Sequence, residues 1–216
     1  MIDDAFVFDG VAHVFNFEEK NAFGSPGEMF SNHLYAFHAT LTPDDEPKLP
    51  PEEFLRQWTV QDIRQMVYDE SDTDMLVAMP LPLTDLYRDG LSPWEECAEL
   101  ASRDPDRTIF WGSVNPLEGR KALDLMERQV GEFGARAFKF YNVRYDYGSP
   151  FPWRMDDPNI AFPVFEKCQD LGVDLIPGSG LLAATVPGTF GAWMHLLARY
   201  GTKSIREVLQ YAIGYA

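Results

Sequence analysis

The amino-acid sequence predicts an α/β fold in which four or five parallel strands alternate with helices, as an open sheet or a barrel. Short apolar runs begin near residues 74, 108, 135 and 173, about 30 residues apart, which is the spacing of β–α–β units. The segments between these runs carry apolar residues at helical spacing. Apolar residues make up 45% of the 216 residues and charged residues 24%, so the chain can bury a core.

Each strand is predicted where Val, Ile and aromatic residues form an uninterrupted apolar run. The first run follows the N-terminus, and the second ends at Pro80, which cannot continue a sheet interior. The predicted strands are 6–15, 75–79, 108–114, 135–141 and a last one that begins at 173.

The helices are predicted from apolar periodicity and from residues typical of helix ends. Ser92-Pro-Trp-Glu95 has the pattern of a capping box, and Gly134 and Gly172 suit helix C-termini. The predicted helices cover about 51–70, 92–103, 118–133 and 159–171. Residues 16–50 are rich in Gly and Pro and are predicted to be a long irregular segment.

The charge excludes several classes of partner. With 34 acidic and 18 basic residues, the net charge of −16 argues against nucleic acid and anionic membranes. No apolar run is long enough to span a bilayer, and Asp3 and Asp4 stand where a signal peptide needs positive charge. Two cysteines form no disulfide scaffold. We therefore expect a cytoplasmic protein with a small-molecule substrate.

Candidate site residues lie where the predicted strands end, because parallel α/β folds place functional side chains there. This rule selects His13 after the first strand, and Lys139, Asn142 and Arg144 at the end of the fourth. For two of these residues, a purely structural role is the alternative to a functional one. His13 would be a hydrogen-bonded core residue, and Lys139 would form a salt bridge with Asp9 or Glu166.

Phe6-Val-Phe-Asp9-Gly-Val11-Ala-His13 resembles the first strand of the amidohydrolase superfamily, in its branch of aminocarboxymuconate-semialdehyde decarboxylase-like enzymes. The later strands Asp74–Pro82, Phe110–Pro116 and Gly134–Tyr141 are also similar to that branch, so the resemblance covers about residues 5–175. It implies a TIM-type (β/α) barrel, a divalent metal such as zinc or manganese, and hydrolysis or decarboxylation of a small molecule.

The sequence departs from the family pattern at the metal ligands. The first metal His of the pattern falls on Val11, so His13 is the one ligand that the resemblance carries over. The family's ligands on strands 5, 6 and 8 have no counterpart. The resemblance implies that Lys139 is a metal-bridging or a substrate-binding residue and that Asn142 and Arg144 contact the substrate. We therefore expect an incomplete barrel and a truncated, impaired enzyme that does not hydrolyse amides at an enzymatic rate.

Residues 176–216 resemble a different family. Thr185-Val-Pro-Gly188, Tyr200-Gly201 and the apolar stripe of 205–213 are similar to a segment of γ-glutamyltransferases. The acidic excess also ends near residue 175, so we predict one domain at 1–175 and a helical hairpin at 176–216 that lacks the transferase nucleophile. An alternative is that 176–216 form a divergent barrel end.

Two hypotheses on function follow. The chain is a metal-dependent hydrolase or decarboxylase, or it is a non-catalytic barrel remnant made by a chimeric reading frame. Metal analysis of the purified protein separates them. An incomplete barrel has open sheet edges, which predict a homo-oligomer.

Overall fold

The structure is a computed structural model that describes residues 6–43, 48–146 and 149–177; for 143–146, 149–152 and 174–177 it describes the backbone alone. The chain divides into two compact units, Met1–Ile176 and Pro177–Ala216. Nearly all of the second unit, with the predicted helical hairpin, lies outside the described residues. Within the described part, no helix combines the length and apolar character needed to cross a bilayer.

A sheet of five strands forms the centre of the first unit. Its order is β1-β2-β3-β4-β7, and β1 to β4 run parallel, which confirms an α/β fold built as an incomplete TIM-type barrel. The strands are β1 Phe8–Ala12, β2 Met75–Ala78, β3 Thr108–Gly112, β4 Ala137–Phe140, β5 Val143–Asp146, β6 Ser149–Pro152 and β7 Asp174–Pro177. The antiparallel pair β5–β6 forms a separate hairpin between β4 and the next helix.

β1 is shorter and more exposed than the sequence predicts. It covers five residues, and Phe8 and Val11 are 49% and 55% exposed. The reason is topological, since β1 is the outermost strand of the described sheet and pairs there with β2 alone. Its register with β2 also shifts between Asp9 and Ala12, as at a β-bulge.

Alternate residues of the strands face opposite sides of the sheet. One side packs against the helices and forms the main core, with members such as Leu76, Phe110 and Phe138. The residues of opposite parity form what we call the concave face: Val11, His13, Val77, Met79, Ile109, Trp111, Ala137, Lys139 and Tyr141. The concave face therefore holds two of the predicted site residues.

Six α-helices are described: α1 Gly24–Leu41, α2 Pro51–Phe54, α3 Val60–Arg64, α4 Trp94–Arg103, α5 Arg120–Gly131 and α6 Ala161–Leu171. Helix α1 corrects the prediction of an irregular segment at 16–50. Its two fully buried residues are Gly27 and Ser31, and its apolar residues Phe30 and Leu34 are partly buried against a second core cluster. The Gly- and Pro-rich start of the segment hid this helix from the sequence prediction. A Cβ on Gly27 would lie 2.6 Å from the Leu86 carbonyl oxygen, so glycine permits this close contact.

Two further predictions of local structure are wrong. The helix predicted at 51–70 is interrupted, because Thr59 and Asp62 form a capping box that starts α3 afresh, and a π-helical turn follows at Gln65–Asp69. Ser92 does not cap α4, which has Pro93 at its N-cap. The buried Ser92 hydroxyl instead accepts a hydrogen bond from the Val14 amide at 3.1 Å, which ties the end of β1 to the start of α4.

Candidate active site

His13 lies immediately after β1, at the carboxyl edge of the sheet. The Met79 amide donates to the Ala12 carbonyl at 2.9 Å and the Val14 amide donates to Ser92, so backbone bonds on both sides hold this position. Ala12 and Val14 both belong to the core. By alternation, the imidazole of His13 is directed to the concave face, as the sequence predicts for a site residue.

The His13 ring has a defined tautomer. Its Nδ1 lies 2.5 Å from the Met79 carbonyl oxygen, which can accept but not donate, so Nδ1 carries the proton. Burial lowers the pKa of His13 to about 4, the hydrogen bond to Met79 opposes this shift, and the charge of Lys139 adds to it. The imidazole is therefore neutral at pH 7, and its Nε2 presents a lone pair.

Lys139 also lies on the concave face, in the middle of β4. Its Nζ is 5.0 Å from the centroid of the Tyr141 ring, a cation–π arrangement. Burial lowers the pKa of Lys139 to about 8. The alternative salt bridges are not formed, since the Asp9 carboxylate accepts from the Val11 amide at 2.9 Å and Glu166 is an exposed residue of α6.

A buried amide holds the β4 backbone next to Lys139. The Ser113 hydroxyl donates to the Lys139 carbonyl at 2.7 Å. Gln129 of α5, which is fully buried, accepts from the Ser113 amide at 3.0 Å and donates to the Ser113 carbonyl at 3.1 Å. Gln129 is not among the residues that the sequence predicts for the site. Its signal is a polar residue on the buried face of α5, which it shares with Ala122 and Met126.

The other two predicted substrate contacts follow β4 directly. The carbonyl of Asn142 accepts a hydrogen bond from the Trp153 amide at 2.9 Å, which closes the base of the β5–β6 hairpin. Arg144 lies in β5, where its backbone is paired with Phe151, and its side chain is outside the described part of the structure. The substrate-binding roles of Asn142 and Arg144 stay predictions.

The described residues do not fit a divalent metal. Among the side chains that the structure describes, no three His, Cys, Asp or Glu residues come close enough to hold one ion. A catalytic zinc site needs about three protein ligands. His38 is not available, because its Nε2 accepts from the Leu49 amide at 2.9 Å and its ring stacks on Phe54. Among the described side chains, His13 would therefore be a single ligand.

An apolar cavity of about 300 Å³ adjoins His13 at the free edge of β1. Aromatic rings line it in a continuous series. The ring centroids of His13 and Phe15 are 5.2 Å apart, Phe15 stacks on Phe17 with centroids 4.9 Å apart, and Phe17 stacks on Phe54 with centroids 5.3 Å apart. Trp58 and Met66 complete this wall. His13 thus lines this aromatic-walled cavity at the end of β1.

Several solved structures are similar to the chain. A 2,6-dihydroxybenzoate decarboxylase in complex with 2,6-dihydroxybenzoate has 18% identity and a TM-score of 0.44, over 75% of this chain and 52% of that one. A dihydroxybenzoic acid decarboxylase of Polaromonas sp. with bound manganese and 2-nitroresorcinol has 22% identity and a TM-score of 0.42, over 72% and 49%. A 5-carboxyvanillate decarboxylase of Sphingomonas paucimobilis has 18% identity and a TM-score of 0.45, over 92% and 57%.

The chain spans about half the length of these solved structures. No curated protein sequence matches it. The amidohydrolase family matches residues 11–201, which include the end of β1, all of β2 to β4 and β7, and most of the segment that the sequence likened to γ-glutamyltransferases. That second likeness is not shown by any comparison. Because the match covers most of the sequence, the chain belongs to the amidohydrolase family.

Proposed function

We propose that the chain is a decarboxylase or hydrolase that acts on a small molecule at the concave face. The observation that carries this proposal is the presence of two reactive groups on one surface, the Nε2 lone pair of His13 and the amine of Lys139, which has no carboxylate partner among the described residues. Side chains with shifted pKa values in a concave site are typical of active sites.

The chemistry of the two groups favours a substrate with a carboxylate. When protonated, Lys139 supplies a positive charge on a face whose other members are mostly apolar, and an anion is the natural partner of that charge. The neutral His13 accepts a hydrogen bond or a proton at Nε2, since Met79 already occupies Nδ1. Of the two reactions, we favour decarboxylation, because loss of CO₂ removes a carboxylate from apolar surroundings.

A turnover assay of the 216-residue chain tests this proposal, with amides, lactones and β-keto acids as substrates and with zinc or manganese added in parallel. We expect turnover of β-keto acids and none of amides. His13→Ala is expected to abolish turnover, whereas His33→Ala, at an exposed position of α1, leaves it unchanged. Absence of turnover under every condition would favour the alternative that the chain is a non-catalytic barrel remnant.

A further inference from the structure

We propose that Lys139 acts as a nucleophile that forms an imine with the ketone carbonyl of small β-keto acids and thereby decarboxylates them. This inference rests on the proposed function, because it uses the same concave face. It adds a covalent step, and it assigns the step to one atom, the Nζ of Lys139.

The surroundings of Lys139 differ from those of most basic side chains in the described part. Arg64, Arg103 and Lys167, for example, each form an ion pair with a carboxylate, in a chain with 34 acidic residues. No described carboxylate contacts Lys139, and its amine faces the ring of Tyr141 at 5.0 Å. An ion pair would hold the amine in its protonated form, so surroundings with no described carboxylate partner favour the neutral, nucleophilic amine.

The amine is also partly neutral near pH 7.5. Burial lowers the pKa of Lys139 to about 8 from 10.5. At pH 7.5, about a quarter of such a group is unprotonated, against about 0.1% of an ordinary lysine. The fraction in the nucleophilic form is thus about 200-fold larger than for a lysine on the surface.

The position of Lys139 is held from both sides of β4. The Ser113 hydroxyl binds the Lys139 carbonyl, and Gln129 fixes Ser113 through two hydrogen bonds. Phe138 and Phe140 anchor the strand in the core on the opposite side of the sheet. These contacts hold the backbone at Lys139 in place, and the Lys139 side chain is half-buried.

The covalent step balances without an oxidant, a reductant or a further reagent. The Nζ lone pair attacks the ketone carbon, the carbonyl oxygen is protonated and leaves as water, and a protonated imine remains. The bond between the α carbon and the carboxylate then breaks, its electron pair moves toward the imine nitrogen, and CO₂ leaves. A proton adds to the α carbon, and water hydrolyses the imine to release the ketone and the amine.

The apolar members of the concave face assist the step in which CO₂ leaves. Val77 and Ala137 are buried, and Trp111 is half-buried. A carboxylate loses hydration energy in such surroundings, whereas neutral CO₂ does not. The positively charged imine nitrogen accepts the electron pair of the bond between the α carbon and the carboxylate as that bond breaks.

Reductive trapping tests the inference. The purified chain is incubated with acetoacetate at pH 7.5 and treated with sodium borohydride, which reduces an imine to a stable secondary amine, and the peptides are mapped by mass spectrometry. We expect an isopropyl adduct on Lys139, the mass expected if decarboxylation precedes reduction, at a level at least about tenfold above that on Lys121, which is exposed. An adduct on Lys139 no greater than that on Lys121 would overturn the inference.

Matched variants separate the inference from the proposed function. Lys139→Arg retains the positive charge and removes the nucleophile, so the adduct and the turnover of acetoacetate should both disappear, whereas Lys121→Arg retains both. Turnover that survives in Lys139→Arg would refute the imine and leave the proposed decarboxylase intact. A Lys139 adduct in a chain without turnover would support the nucleophile and refute the proposed function. Trapping in the unmodified chain gives a result even where a variant fails to fold.

Discussion

Protonation of His13 is expected to destabilise the fold as the pH falls below neutrality. The pKa of His13 is about 4 in the folded chain, because burial penalises the charged ring, and 6.5 is the ordinary value that applies to the unfolded chain. The unfolded chain therefore binds the proton more tightly. The stability linked to His13 is complete above about pH 6.5 and is lost progressively as the pH falls toward 4.

The size of the effect follows from the two pKa values. Between pH 7.5 and pH 5.5, the difference in proton binding lowers the free energy of unfolding by about 1.3 kcal/mol, since each pKa unit corresponds to about 1.4 kcal/mol. Few carboxyl groups with ordinary pKa values titrate within this interval. Over this pH step, the difference between the parent chain and a variant without the His13 ring therefore isolates the contribution of this histidine.

Urea unfolding at pH 7.5 and 5.5 measures this loss. His13→Asn places an amide nitrogen where Nδ1 lies and so keeps a donor for the Met79 carbonyl while removing the titrating ring. We expect the variant to lose about 1.3 kcal/mol less stability than the parent chain over the same pH step. The control His33→Asn, at an exposed position, should behave as the parent. Equal pH dependence in His13→Asn and the parent would refute the reasoning.

Three further predictions concern the elements that hold the site, each measured by urea unfolding. Gly112→Ala should lower the free energy of unfolding by about 1–3 kcal/mol, because the added Cβ would overlap Gln129 Oε1 and lie 2.6 Å from Phe138 Cε1. The control Gly131→Ala, whose Cβ would have nothing within 4 Å, should be neutral or stabilising, and equal effects of the two substitutions would contradict this packing. Gln129→Leu should cost about 2–4 kcal/mol by leaving the Ser113 amide and carbonyl without partners, and a loss below about 0.5 kcal/mol would exclude that role. Tyr87→Phe should cost about 1–2 kcal/mol, because the buried hydroxyl donates to the Gly27 carbonyl at 2.8 Å and contacts Ser31 at 2.8 Å; an unchanged midpoint would show that these bonds contribute nothing.

The parallel sheet could be predicted from the sequence because its signals are local. The strands β2, β3 and β4 each coincide with an apolar run, and the helices α4 to α6 each present a periodic apolar face. The rule that places functional groups at the carboxyl ends of strands also located His13 and Lys139 on one face. The prediction of the strands and helices and the placement of these two residues both depend on patterns within about 15 residues of chain.

The features that the sequence did not predict depend on contacts between distant residues. Helix α1 buries Gly27 and Ser31 against Tyr87, and its apolar residues Phe30 and Leu34 are only partly buried, so small residues rather than an apolar stripe determine its closest packing. The Ser92 hydroxyl binds the Val14 amide, 78 residues away, instead of capping the helix that follows it. The tautomer of His13 depends on a carbonyl 66 residues away. No local pattern encodes partners at such separations.

The charge state of Lys139 tests the proposed active site most directly. The rate at which acetic anhydride acylates Lys139, followed peptide by peptide as a function of pH, reports the pKa of the amine in the folded chain. Burial without a carboxylate partner predicts an inflection near pH 8. An inflection at the ordinary value of 10.5 would show that the amine is solvated, and one above it that a carboxylate neutralises the amine; in either case the concave face would hold no buried amine of lowered pKa.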